Sequence, residues 1–127
     1  SHNQHKLPSY MVSNPKEILE HSYDAHVIGV DEAQFFDETL IHVCRKMANG
    51  GKQVIVAGLD KDYLARPFGC LPQLMVEAEE VTKLLSICMK CGSPANFSQR
   101  ITSDKGQVVV GETDKYEARC RRCYEMP

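Results

Sequence analysis

The chain has 127 residues and a mass of 14.3 kDa, the size of one ordinary domain with room for a small appendage. Apolar residues make up 43% and charged residues 25%, which excludes wholesale disorder, and no apolar run reaches the length of a membrane span. A net charge of −2 and a pI of about 6.2 give no bulk electrostatic support to non-specific nucleic-acid binding.

Residues 1–13 are polar and irregular, with Tyr10-Met11-Val12 as a candidate short strand. No basic segment followed by an apolar stretch marks a signal peptide, and the chain opens on Ser1 without an initiating Met. Asn14, Pro15 and Glu17 predict a helix start, with Asn as the cap, Pro at the first helical position and Glu reaching back as in a capping box. That helix should run to about His21. Ala25–Val30 is a continuous apolar run that suits a strand buried on both faces, as in a parallel sheet. It ends in Asp31-Glu32. Asp37-Glu38 opens the next helix, where acids favour the positive end. Leu40, Ile41, Val43, Cys44, Met47 and Ala48 recur at helical spacing, and Gly50-Gly51 closes it.

Gln53–Leu59 is a second buried-type strand, followed by Asp60, so strand, helix and strand compose a βαβ unit. Residues 60–73 read as a loop, Gln73–Glu80 as a helix and Val81–Ile87 as a further strand. After Cys88 the character changes to Cys pairs, Gly, Pro and short strand-like runs, of which Val108-Val109-Val110 is the clearest. The organisation expected is an α/β part over 1–87 and a small lobe over 88–127.

Two C-x-x-C pairs, Cys88/Cys91 and Cys120/Cys123, stand apart from the other two cysteines. Two residues between thiols let both sulfurs turn toward one ion while backbone N–H groups face the thiolates, and two such knuckles supply four ligands for tetrahedral zinc. A small lobe without much core needs such a staple. Disulfides, a redox pair and iron–sulfur ligation are the competing readings; the first would need an oxidising compartment. Four thiolate ligands leave no position for substrate, so a metal held here is structural. Cys44 and Cys70 read as small buried apolar residues.

Asp31-Glu32 at the end of an apolar strand is a weak signal alone, because acids at strand ends are also common turn formers and caps. In phosphate-binding α/β proteins an Asp at that place holds magnesium, usually through water. Ligands of open α/β sheets bind at the carboxyl ends of strands, where Leu59-Asp60 also falls.

Taken together, Asp31-Glu32-Ala33-Gln34-Phe35-Phe36, Val54–Asp60, Pro67-Phe68-Gly69, Cys88-x-x-Cys91, Val110-Gly111, Asp114-Lys115-Tyr116 and Cys120-x-x-Cys123-Tyr124 resemble the type II thymidine kinase family, in the family's order. Cys91-Gly92-Ser93-Pro94-Ala95 resembles its bacterial branch. The resemblance implies a P-loop, RecA-like parallel sheet with helices and a small C-terminal zinc-ribbon lobe. It implies a cytoplasmic homotetramer that uses ATP and Mg²⁺ to phosphorylate the 5′-hydroxyl of thymidine in nucleotide salvage for DNA synthesis. On it Glu32 is the base, Asp31 helps hold magnesium, and Asp31, Ala33 and Gln34 lie along the nucleotide. Phe35, Leu59, Tyr63 and Phe68 wall the thymine pocket. A closing loop over 98–116 reads the base through its backbone, with Gln107, Val108, Val109, Val110, Gly111 and Tyr116 touching substrate. Zinc anchors both ends of that loop, and neither nucleic acid nor membrane is an expected partner.

The family's phosphate-binding pattern, G-x-x-x-x-G-K-[ST], is absent: Gly51 alone precedes a Lys, and Gln53 stands where Ser or Thr is required. The expectation is therefore a partial kinase with negligible activity by itself. The alternatives are a zinc-ribbon binding module, for which Arg119, Arg121 and Arg122 would be the nucleic-acid patch, and a non-catalytic nucleoside-binding paralogue.

Overall fold

The computed structural model describes residues 7–102 and 115–127. Helix α1 (Lys16–His21) starts as its sequence dictates. Asn14 Oδ1 accepts from the Lys16 N–H at 3.0 Å, and Glu17 Oε1 accepts from the Asn14 N–H at 3.1 Å, the reciprocal pair of a capping box. Residues 10–12 form no strand; Tyr10 instead stacks on the His21 ring at 4.0 Å.

Strand β1 (Val27–Val30), helix α2 (Thr39–Asn49) and strand β2 (Gln53–Val56) make the expected crossover. The strands are parallel, in register Val27↔Gln53 through Val30↔Val56. Asp37 Oδ1 caps α2 by accepting from the Thr39 N–H at 2.9 Å. Leu40, Ile41, Val43, Cys44 and Met47 are buried on one face of α2, whereas Ala48 points outward.

The strands are not buried on both faces. Ile28 and Val30 enter the core, but Val27 is 55% exposed and Ile55 53% exposed on the opposite side. The described helices cover one face of this two-stranded sheet, so alternation replaces the continuous burial expected of a central parallel strand. The described residues thus show an α/β arrangement with one parallel βαβ unit, and not the P-loop sheet that was expected.

Helix α3 (Leu71–Glu77) begins two residues earlier than predicted and ends three earlier. Pro72 is no obstacle in a first turn, where its missing N–H has no intrahelical acceptor anyway. Glu77, Glu79 and Glu80 would oppose the dipole at a longer helix's carboxyl end, and Ala78 turns extended. The predicted strand over Val81–Ile87 shrinks to β3 (Ser86–Ile87), which pairs antiparallel with β4 (Pro94–Ala95). Residues 81–85 meet no strand edge among the described residues, and an extended segment without a ladder partner is not a strand.

Strands β5 (Phe97–Arg100) and β6 (Tyr116–Arg119) form an antiparallel ladder from Phe97↔Arg119 to Arg100↔Tyr116. Two cores result. One joins Ile18, Ile28, Val30, Leu40 and Met47 with Leu71 and Leu74; the other is small and centred on Cys88, Ala95 and Cys120. Between them Phe97 stacks on Tyr124 at 4.7 Å, and the Tyr124 hydroxyl donates to the Tyr63 carbonyl.

Candidate active site and metal centre

The ends of β1 and β2 stay together past the last ladder pair. Ala57 N–H donates to Val30 O at 2.8 Å, and Ala33 N–H returns to Ala57 O at 3.0 Å. Between these bonds the chain turns sharply, and Glu32 adopts φ 53°, ψ 43°. A non-glycine residue in this left-handed region stores about 1–3 kcal/mol and is held there by its surroundings. Asp31 and Glu32 are both exposed at the carboxyl end of the parallel pair. Asp31 Oδ1 accepts from the Glu32 N–H at 2.8 Å.

The predicted site residues divide into several groups. Phe35 and Phe68 meet edge to face, 5.8 Å between centroids at 83°, with both rings partly exposed. Leu59 is also half exposed. Tyr63 lies under the Arg100 guanidinium at 3.6 Å, and Arg100 Nη2 donates to the Tyr116 hydroxyl at 2.8 Å. Arg100 therefore brings Tyr63 and Tyr116 together across the two cores. Ala33 is fully buried, and Gln34 is directed inward at 4% exposure. Gln107, Val108, Val109, Val110 and Gly111 lie outside the described residues. Ile101 N–H donates to Lys115 O at 3.0 Å, so the β5–β6 ladder continues to the edge of that segment.

Sequence reasoning missed Asp62. It is 4% exposed, and its Oδ1 accepts from the N–H groups of Leu64 at 2.9 Å and Arg66 at 3.0 Å. This Asx-type turn shapes the segment that carries Tyr63 and Phe68. The available signal was Asp-x-x-x-Arg next to Pro67, a turn composition. A concavity of about 440 Å³, lined by Leu19, Tyr23, Met47 and Lys52 among others, lies at the opposite, amino end of the strands. Lys52 Nζ is committed there to the carbonyls of Ser22 and Ala25 at 2.8 and 2.6 Å.

The four cysteines of the two pairs converge, every Sγ within 4.8 Å of the others. Cys91 and Cys120 sulfurs stand 3.6 Å apart. Thiolates about 2.3 Å from one tetrahedral zinc stand about 3.8 Å from each other, so the set fits a single ion of that kind. A multi-iron cluster would spread the sulfurs around itself, and none of the six cysteines is in a disulfide. The electrostatics agree. The Ser93 hydroxyl and N–H pull the Cys91 thiol down to about 5. Burial opposes the Cys88 thiolate, but N–H groups of Cys120, Cys91 and Lys90 outweigh it and lower that thiol. Cys123 is pushed up to about 12, first by hydrogen bonding with Cys120 and then by burial. Thiols this close cannot all ionise unless a cation joins them.

Cys44 is raised to about 11 by burial and then by Cys70, which burial raises as well, so both are inert. Three arginines of the lobe have neighbours close by. Arg119 pairs with Glu117 at 2.6 Å, Arg121 lies over Phe97, and the Cys91 thiol favours the charged form of Arg122.

A βαβ unit with acids at its strand ends, joined to a lobe whose four cysteines could hold a metal ion, defines a small α/β protein. The thymidine kinase family profile matches residues 1–124, and the chain belongs to that family. It is 54% identical over 127 residues to a thymidine kinase of Rhodothermus sp. (strain ITI 518), covering 100% of this chain and 60% of that one. It is 48% identical over 124 residues to the thymidine kinase of Bacteroides thetaiotaomicron, covering 98% and 62%, and 46% identical over 125 residues to that of Bacteroides fragilis, covering 98% and 63%. The chain thus spans about three fifths of the length of these relatives.

Proposed function

We propose that this chain is the nucleoside and zinc portion of a thymidine kinase, which transfers the γ-phosphoryl group of ATP to the 5′-hydroxyl of thymidine in nucleotide salvage. The observation that carries the reading is the Glu32 carboxylate, presented in a left-handed turn at the carboxyl end of β1 and bonded by Gln34 Nε2 at 3.1 Å. In this reading Glu32 takes the proton from the 5′-hydroxyl as it attacks. Asp31, an exposed carboxylate with one oxygen bonded to backbone, suits magnesium held through water. ATP and magnesium supply the phosphoryl group and the charge neutralisation that its transfer needs.

Phe35, Leu59, Tyr63 and Phe68 wall the thymine pocket, because flat faces of a base stack on aromatic rings. Tyr116 touches the nucleoside from the closing loop, and residues 107–111 read the base edge through their backbone. Zinc at Cys88, Cys91, Cys120 and Cys123 holds the ends of that loop. The parts over 1–87 and 88–127 act as an α/β body and a zinc lobe. The phosphate cradle is not found in these 127 residues. The whole protein therefore completes the donor site and the P-loop sheet with other residues, and the exposed Val27 and Ile55 are where that sheet is covered. Cytoplasmic residence suits six unbridged thiols, and a homotetramer follows the family.

Glu32→Gln in the whole protein is the test. Turnover should fall about 10²–10⁴-fold while thymidine affinity stays within a few-fold, because a general base acts on the reacting proton and not on the ring. Unchanged turnover removes Glu32 from the chemistry.

A further inference from the structure

We infer that Gln34 is the positioning residue of this site: its buried carboxamide aims the Glu32 carboxylate and ties it to the backbone of the β2 loop. The inference rests on reading Glu32 as the base. By resemblance Gln34 lies along the nucleotide, but its side chain runs into the protein and is 4% exposed. A buried amide must find partners at both ends. Gln34 Oε1 accepts from the Leu59 N–H at 3.1 Å. A backbone N–H can only donate, so that end must be the oxygen. The amide nitrogen therefore faces Glu32 Oε2, which can accept, at 3.1 Å. The chemistry at each end demands the same orientation.

Three loops close on this residue, two of them on its side chain and one on its backbone. The first carries Glu32. The second carries Gly58, where a Cβ would come within 2.8 Å of Gln34 Oε1. The third carries Gly69, at φ +56°, where a Cβ would come within 2.6 Å of the Gln34 carbonyl oxygen. Glutamine is the side chain that fits: Leu would satisfy neither neighbour, and Glu would set a second carboxylate against Glu32. Because Glu32 sits in a left-handed turn, its carboxylate direction depends on a partner such as this. Gln34 acts through Glu32 and through the Leu59 wall; it does not touch the reacting atoms.

The test is a double-mutant cycle in the whole protein, with thymidine and ATP as substrates and kcat and KM read separately. Gln34→Glu keeps the acceptor for the Leu59 N–H and loses the donor to Glu32. Its kcat should fall roughly 10–100-fold with KM for thymidine within about twofold, the cost of a displaced catalytic group. Gln34→Leu should lose kcat by a similar factor in the parent, yet by less than about threefold in a Glu32→Gln background, where there is no base left to aim. Equal losses in both backgrounds mean a merely structural glutamine and overturn the inference while leaving the base reading intact. Full turnover in Glu32→Gln alone overturns the base reading and the inference with it. Should the Gln34 variants fail to fold, Gly58→Ala displaces the amide without replacing it. The same cycle then applies: loss confined to the Glu32 background supports positioning, and equal loss overturns it.

Discussion

At the scale of single residues, the most consequential side chains near the site are polar and buried. Gln34 and Asp62 are each 4% exposed, and each organises backbone that carries a candidate substrate-facing group. Asp62 satisfies two N–H groups inside its own turn. Removing an acceptor from a buried place leaves donors without partners, which costs about 1–3 kcal/mol. Asp62→Ala should lower the midpoint of urea unfolding accordingly and raise KM for thymidine through Tyr63 and Phe68, while Asp62→Asn should recover most of the loss. Asp62 was legible at most as a turn former, and Gln34 did not announce its inward direction in the sequence. The partner of Gln34 is Leu59, 25 positions away, and no local pattern links them. The exposed place of Asp31 and Glu32 was legible because strand ends in α/β proteins are where charge is presented.

At the scale of elements, local rules worked where local forces decide. The cap at Asn14 and the crossover β1–α2–β2 needed only short-range chemistry and one hydrophobic period. Asn14→Ala should destabilise α1 by about 1 kcal/mol, the usual worth of such a cap. Hydrogen exchange of the amides around Ile18 and Leu19 should accelerate while those of α2 stay slow; unchanged exchange would mean that packing, not the cap, holds α1. Local rules failed where a partner was needed. Val81–Leu85 has the composition of a strand, yet a strand exists only against another strand, and none lies beside it among the described residues. The two-sided burial expected of β1 failed for the same reason, since composition reports what a segment can bury and not what covers it.

At the scale of the whole molecule, the two cores differ in what holds them. The α/β core rests on apolar packing around Leu40, whereas the lobe centres on Cys88, Ala95 and Cys120 with few apolar neighbours. A core that small cannot stabilise a lobe unaided, and a structural zinc site can contribute about 10–16 kcal/mol of apparent binding energy. Chelation should therefore melt the β5–β6 ladder, seen as loss of its slow-exchanging amides, and leave α2 intact. The thiol count should move with it. Four cysteines should become reactive on chelation while Cys44 and Cys70 stay silent until global unfolding. Early reaction of all six would refute separate cores. The lobe reaches the α/β body through the Tyr124 bond to Tyr63 and the Arg100 stack, so its melting should also weaken thymidine binding.

The sequence by itself determined the family, the βαβ unit, the acidic strand end and the paired cysteines. Each is written in neighbouring residues or in a fixed spacing, and short-range sterics and ligand geometry translate such patterns directly. Only the tertiary structure decided that Gln34 turns inward to Glu32 and Leu59, that Asp62 builds the Tyr63 turn, and that Arg100 joins Tyr63 to Tyr116. The contacts of Gln34 with Leu59 and of Arg100 with Tyr63 and Tyr116 join distant segments, and the shorter-range bonds at Glu32 and Asp62 are made in buried places that only the packed chain creates. Their free energy exists in full only once the strands have paired and water has left, which a local sequence pattern does not report.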